Sequence, residues 1–314
     1  MQNIRKDKLN MQMLALIRLA RPVHWIKNLI VLLPVVFALQ IHNIDAWLEA
    51  FTAATVFCLV SSFTYILNDI KDRQSDLAHP TKKNRPLATG QISVKTAIIE
   101  AVIFLLLAGA VAQKLSLLVV PVILAYIFLQ ISYTMFFKNR ALLDVICIAL
   151  GFVLRAAGGA VAIKVVISPW LFIGMFTICL FMGFCKRYSE VVTIGDKKLA
   201  ENHRPTLVRY TPELLTHLIT LSAGLAVTAF LLYGLSERTV AQFGTNYFIY
   251  TLPLVVYAVF RFAMLSMEGT YTDPTDLILH DRPFQTITAT WVIAALYIIY
   301  HGKELHNWIL KTYY

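Results

Sequence analysis

The chain has 314 residues, 58% of them hydrophobic and 15% charged, with a formal net charge of +10 and a mean hydropathy of +0.66. Soluble domains hold roughly 45–50% apolar residues, so a water-soluble globule is excluded. The basic surplus would suit nucleic acid, but its distribution along the chain, traced below, excludes that partner and assigns the charge to a bilayer.

In chain order, a basic amphipathic stretch reaches Ala20 without a small-residue cleavage site, so the first span is expected to be retained. Apolar stretches of the ~20 residues needed to cross hydrocarbon then begin near Trp25, Ala46, Thr96, Leu117, Leu142, Trp170, Pro212, Tyr247 and Pro283, which predicts nine spans. The stretches are long and unbroken rather than alternating every second residue, so they are helices and not barrel strands. Cys58, Cys147, Cys179 and Cys185 fall in or at the end of these spans without metal-ligand spacing and read as small packing residues.

With the N-terminus placed in the cytoplasm, Arg5, Lys6, Lys8, Arg18 and Arg21 precede the first span on that side. Lys71, Arg73, Lys82, Lys83 and Arg85 follow the second, Lys138 and Arg140 the fourth, and Lys186, Arg187, Lys197, Lys198, Arg204 and Arg209 the sixth. The opposite face has only Lys114, Lys164, Arg238, Lys303 and Lys311. That asymmetry sets orientation and faces anionic headgroups. No linker or low-complexity tract divides the chain, so residues 1–314 are expected to form a single integral membrane domain. Its longer loops, at about 68–90, 186–210 and 267–283, all fall on the cytoplasmic side and are the places for chemistry.

The sharpest signal ends the second span: Asn68-Asp69-Ile70-Lys71-Asp72-Arg73-Gln74-Ser75-Asp76. On a continuing helix Asn68, Asp72 and Asp76 fall at i, i+4 and i+8, with Asp69 three residues before Asp72, so all four share one broad face. Stacked carboxylates need a neutralising cation, and hard oxygen ligands suit Mg²⁺ with phosphate oxygens completing its shell. Asp69, Asp72 and Asp76 are the candidate catalytic residues and, with Asn68, the candidate metal ligands. The bland alternative is a solvated helix end paired with Lys71 and Arg73. Next come His79-Pro80-Thr81-Lys82-Lys83-Asn84-Arg85-Pro86, in which Arg85 can grip phosphate bidentately while Lys82 and Lys83 act as point charges.

The pattern Asn-Asp-x-x-Asp-x-x-x-Asp followed by His-Pro-Thr-Lys and Arg-Pro resembles the UbiA superfamily of intramembrane prenyltransferases. That likeness implies an all-α polytopic bundle of about nine transmembrane helices around a central cavity. Aromatic prenyltransferases of the superfamily place a second aspartate-rich motif after the sixth helix. Here that position reads Phe184-Cys185-Lys186-Arg187-Tyr188-Ser189-Glu190, with cations in place of acids. One acidic and one basic motif resemble the bacterial branch that transfers 5-phosphoribose onto a polyprenyl phosphate. Further likenesses are Arg21-Pro22 with Trp25-Ile26-Lys27-Asn28, Gly151-Phe152-Val153-Leu154-Arg155, and Asp273-Pro274-Thr275-Asp276 with His280-Asp281-Arg282.

The resemblance implies a Mg²⁺-dependent transferase in a bacterial inner membrane. Its partners would be 5-phosphoribosyl diphosphate, a polyprenyl phosphate and the bilayer, not nucleic acid, and a homo-oligomer is compatible with it. Lys82, Lys83 and Arg85 would hold donor phosphates, and Lys186, Arg187 and Tyr188 the 5-phosphate or the lipid phosphate. Glu190 would order Lys186, four residues before it. Arg21, Trp25 and Lys27 read either as an interfacial anchor or as a lipid-phosphate site. Arg155, beside Ala156, Ala157, Gly158 and Gly159, reads as a substrate-binding charge or as half of an ion pair with Asp144 or an acidic loop residue. Asp281 and Arg282 either bind substrate or, with Asp276, knit their loop together. The competing readings are a prenyltransferase using a polyprenyl diphosphate and an aromatic acceptor, which must explain Lys186 and Arg187, and a transporter of a phosphorylated metabolite, which would show broken helices in paired halves.

Overall fold

The computed structural model describes residues 2–78, 82–194, 206–271 and 274–313. Nearly all of these residues are helical and none is in a strand. Among them nine helical segments are long and apolar enough to cross a membrane, at the positions the hydropathy predicts. The outer faces keep Leu106, Phe128 and Ile293 exposed, as a lipid-facing surface requires. The described residues divide into two compact units, one ending at Val166 and one starting at Ile167.

In the first unit, α1 (Gln2–Ala20) stops at Arg21, which takes a left-handed φ of 52°. Pro22 ends the helix there, because its ring disfavours the right-handed helical region for the residue before it. The chain then runs as a 3-10 helix over Pro22–Leu32 before α2 (Leu33–Phe37) finishes the first span. Side chains three apart eclipse in a 3-10 helix. Trp25 and Asn28 therefore point the same way, onto α3 (Ile44–Ala78): Trp25 Nε1 donates to Ser62 Oγ at 3.0 Å and Asn28 Nδ2 to Cys58 Sγ at 3.3 Å.

The 35 residues of α3 make a rod roughly 50 Å long at ~1.5 Å per residue, well beyond the ~30 Å of hydrocarbon. Its last turns consequently stand clear of the apolar layer, and they carry the acidic motif. α4 (Val94–Ala112) starts at Ser93, whose hydroxyl caps Thr96 N at 3.1 Å, and packs against α3. α5 (Val119–Ser132) runs into one π turn, Tyr133–Phe137, closed by Lys138 N donating to Tyr133 O at 2.9 Å. α6 (Leu143–Ala162) packs against α3, α5 and the 3-10 segment.

The core of this unit gathers Val31, Phe57, Val60, Ile123, Tyr126 and Ala162. The small residues of α6 permit the close approach. A Cβ added at Gly158 would lie 2.3 Å from the Phe57 ring, and one at Gly159 only 1.9 Å from Val31 O. Because a backbone carbonyl cannot rotate aside as a side chain can, Gly159→Ala should destabilise the protein by roughly 1–3 kcal/mol. A lower midpoint for thermal aggregation in detergent would show it, and an unchanged midpoint would refute this packing.

The second unit contains α7 (Pro169–Ile194), α8 (Pro212–Leu235), α9 (Glu237–Phe243), α10 (Leu252–Met267, preceded by a 3-10 turn at Tyr247–Thr251), α11 (Pro274–His280) and α12 (Arg282–Tyr313). α7 and α8 pair, and Ser189 Oγ donates to Ser266 O at 2.7 Å, tying the end of α7 to the end of α10. Phe230, Tyr233 and Phe243 pack around Phe248 at the opposite end in tilted and edge-on ring contacts.

Candidate active site

The end of α3 presents Asn68, Asp69, Asp72 and Asp76 on one helix, as the spacing predicts. Asp69 and Asp76 are buried and Asp72 half-buried. Lys71 and Arg73 are exposed, and the carboxylates take their partners from three other segments instead. Arg21, at the left-handed corner, pairs with Asp69. Arg85 Nη1 bridges two carboxylates, at 3.0 Å from Asp69 Oδ1 and 2.7 Å from Asp76 Oδ2. Lys138, just past the π turn, pairs with Asp72 and lies 3.5 Å from Asn68 Oδ1.

Arg85 is placed by its loop. Leu87 and Ile92 on its C-terminal side are buried among Leu19, Ile66 and Ala97, and Arg85 N donates to Lys82 O at 2.9 Å. Lys82 is half-buried and Lys83 exposed on the short 3-10 turn Lys82–Asn84. His79, Pro80 and Thr81 lie outside the described residues, as do Lys197, Lys198, Arg204 and Asp273.

Among the described residues no three His, Cys, Asp or Glu side chains converge as a closed metal cage. The oxygens instead form two pairs, each bridged by a cationic nitrogen: Asn68 with Asp72 around Lys138, and Asp69 with Asp76 around Arg85. Two hard oxygens that already accommodate a cation fit Mg²⁺, which uses one or two carboxylates and fills its remaining positions with water and phosphate oxygens.

Deeper in the same unit, Arg155 is buried on α6. Its Nε donates to Asn28 Oδ1 at 2.6 Å, Nη1 to Gly151 O at 3.0 Å and Nη2 to Tyr126 Oη at 2.6 Å. Ser61 Oγ lies 3.1 Å from Tyr126 Oη. The guanidinium also sits 4.7 Å from the Tyr126 ring centroid. All of these partners are neutral, so among the described residues Arg155 makes no ion pair with Asp144 or with an acidic loop residue, the alternative the sequence left open. A buried cation that, among the described residues, is held by dipoles and by the ring faces of Tyr126 and Phe152 is an electropositive centre inside the span. Tyr65 stands on α3 between this group and the acidic motif, with Arg21 5.4 Å from its ring centroid. Lys27 is exposed on the 3-10 segment.

In the second unit Arg187 is buried near the end of α7, while Lys186 and Tyr188 are half-buried. The ion pair of Glu190 is with Arg187, three residues before it, rather than the expected Lys186. Both spacings share a helix face, and the buried guanidinium has more to gain from the carboxylate. Asp281 joins Arg261 through two hydrogen bonds, of 2.6 and 2.8 Å, and accepts from Phe284 N at 2.8 Å as the cap of α12. Arg261 first, and then that backbone bond, hold the Asp281 carboxyl below the usual carboxylate range. Asp281 therefore knits the segment together, while Arg282 and Asp276 are exposed.

Of the expected site residues, the structure brings together Asn68, Asp69, Asp72, Asp76 and Arg85. Arg21 and Lys138 were missed as partners of that group. Lys138 was signalled only by its position at a span end, which the positive-inside pattern already explained, and the Arg21-Pro22 pair pointed to an anchor or a lipid phosphate rather than to Asp69.

The model of the UbiA prenyltransferase family matches residues 28–277. The chain is 31% identical over 288 residues to the decaprenyl-phosphate phosphoribosyltransferase of Mycolicibacterium smegmatis, covering 88% of this chain and 90% of that protein. It is also 31% identical over 295 residues to the enzyme of that name from Corynebacterium glutamicum, covering 91% and 86%. A UbiA homolog from Archaeoglobus fulgidus, solved with GPP and Mg²⁺, superposes with a TM-score of 0.67 over 91% of this chain and 99% of its own, at 21% identity. Motif, fold and similarity over most of the length agree, and the chain belongs to the UbiA prenyltransferase family.

Proposed function

We propose that this protein transfers 5-phosphoribose from 5-phosphoribosyl diphosphate to a polyprenyl phosphate at a bacterial inner membrane, releasing diphosphate. The observation that carries the reading is a carboxylate-rich first motif combined with a cationic second one, Lys186-Arg187, in a chain similar over nearly its full length to decaprenyl-phosphate phosphoribosyltransferases.

The acceptor is a phosphate oxygen that is already anionic at neutral pH, so no strong general base is needed. It forms a bond to ribose C1 as the bond from C1 to the diphosphate oxygen breaks. The difficulty lies in the charge leaving on diphosphate and developing on the sugar, so fixed electrostatics supply most of the rate. Arg85 and Arg21, both partly exposed, would pass from their carboxylates to incoming phosphate oxygens. Lys82 and Lys83 add point charges beside them. Asn68, Asp69, Asp72 and Asp76 would hold Mg²⁺, which neutralises diphosphate when bound. In the second unit, Lys186, Arg187 and Tyr188 are assigned to the 5-phosphate or the lipid phosphate.

Incubating the detergent-solubilised protein with radiolabelled phosphoribosyl diphosphate, Mg²⁺ and several lipid phosphates tests this directly. Label should enter the lipid phase only with a polyprenyl phosphate and a divalent cation present. Consumption of a polyprenyl diphosphate with an aromatic acceptor, and none of the ribose donor, would replace this reading with the aromatic prenyltransferase one.

The orientation has its own check. In a background stripped of native cysteines, Ser75→Cys should react with an impermeant maleimide only from the cytoplasm and Gln242→Cys only from the far side. The reverse pattern would overturn the cytoplasmic placement.

A further inference from the structure

Glu100 sits on α4, within the third span, and its Oε2 is buried without a hydrogen-bond partner. It opens onto a groove of about 240 Å³ whose other walls include Leu16 and Ile17 of α1, Pro22 and Trp25 just past it, and Phe104 of α4. Ile17, Ile99 and Ile103 beside the groove are exposed, so this face looks toward lipid. Trp25, held on Ser62 at 3.0 Å, is a residue type enriched at headgroup level. An ionisable side chain in such a wall is expensive and marks a binding site by default.

Charge decides the occupant. Arg21, next to Pro22 of the groove wall, pairs with Asp69. A polyprenyl phosphate or a phosphatidylglycerol would bring negative charge against the carboxylate. A primary ammonium would bring the opposite charge together with N–H donors for Oε2. We propose that the groove binds a phospholipid with a primary-amine headgroup, its ammonium on Glu100 and an acyl chain along Leu16, Ile17 and Phe104. This inference does not depend on the reaction proposed above.

The test is native mass spectrometry of the delipidated full-length protein, titrated separately with phosphatidylethanolamine, phosphatidylglycerol and a polyprenyl phosphate. Wild type should prefer phosphatidylethanolamine to phosphatidylglycerol by about tenfold, the ratio carried by one partly desolvated charge pair. E100Q, which keeps the shape and removes the charge without leaving a cation unpaired, should bring that ratio to about 1, and E100K should invert it. Equal binding by wild type, or an unchanged ratio in E100Q, overturns the proposal. Preferred binding of the polyprenyl phosphate also overturns it and would make the groove a seat for the acceptor's tail.

Discussion

Asp72→Asn is expected to lower turnover by about 10³-fold while leaving the protein folded. Losing one preorganised electrostatic group at a developing charge commonly costs 10²–10³ in rate, and ~10³-fold corresponds to about 4 kcal/mol of barrier. Asp72 sits at the upper end of that range because it shares Lys138 with Asn68, so neutralising it weakens a whole oxygen pair. The fold should survive. Asparagine is isosteric, and Asp72 is half-buried at the water-facing end of α3, where Lys138 can be hydrated once its partner has gone. Label transfer across a Mg²⁺ titration, beside gel filtration in detergent, gives the result. Wild-type turnover at limiting Mg²⁺ would sink the assignment. Asp45→Asn, exposed at the other end of the same helix, should be silent and serves as the control.

The second large effect is expected on donor binding. Lys186→Asp should weaken affinity for phosphoribosyl diphosphate by roughly 10–150-fold, since a hydrogen bond between charged groups contributes about 1.5–3 kcal/mol. Like charge placed against phosphate adds to the loss. Lys186 is the better probe of the motif than Arg187, because Arg187 is buried and ion-paired to Glu190, so its removal would strand a carboxylate and confuse misfolding with lost binding. Titration with the ribose donor and, separately, with a polyprenyl diphosphate discriminates the two enzymatic readings. If Lys186→Asp left the ribose donor's affinity unchanged, the second motif would not be a phosphate clamp.

The spans were legible because hydrocarbon thickness imposes one length on every crossing and tolerates few charges. The acidic face of α3 was legible for a related reason: a helix fixes which residues share a side, whatever surrounds it. What surrounds it was not. Arg21 reaches Asp69 from 48 residues away and Lys138 reaches Asp72 from 66, separations at which no periodicity links two side chains. Arg155 shows the same division. Its small neighbours announced tight packing, which Gly158 and Gly159 deliver against Phe57 and Val31. Its partners, Asn28 and Tyr126, lie on other segments and are neutral, so charge matching, which offered a substrate, Asp144 or an acidic loop residue, could not name them. Glu190 shows that i+3 and i+4 pairs cannot be ranked until burial is known.

The π turn at Tyr133–Phe137 places an extra residue in the helix immediately before Lys138. Each residue turns an α-helix by about 100°, so that single insertion decides which way the lysine faces. Shortening the chain by one position there, with every side chain chemically intact, would swing the ammonium away from Asp72 and Asn68. Helix phase, set by an insertion rather than a substitution, is therefore a heritable control on the acidic site. Point-mutation scans of this protein would pass over it.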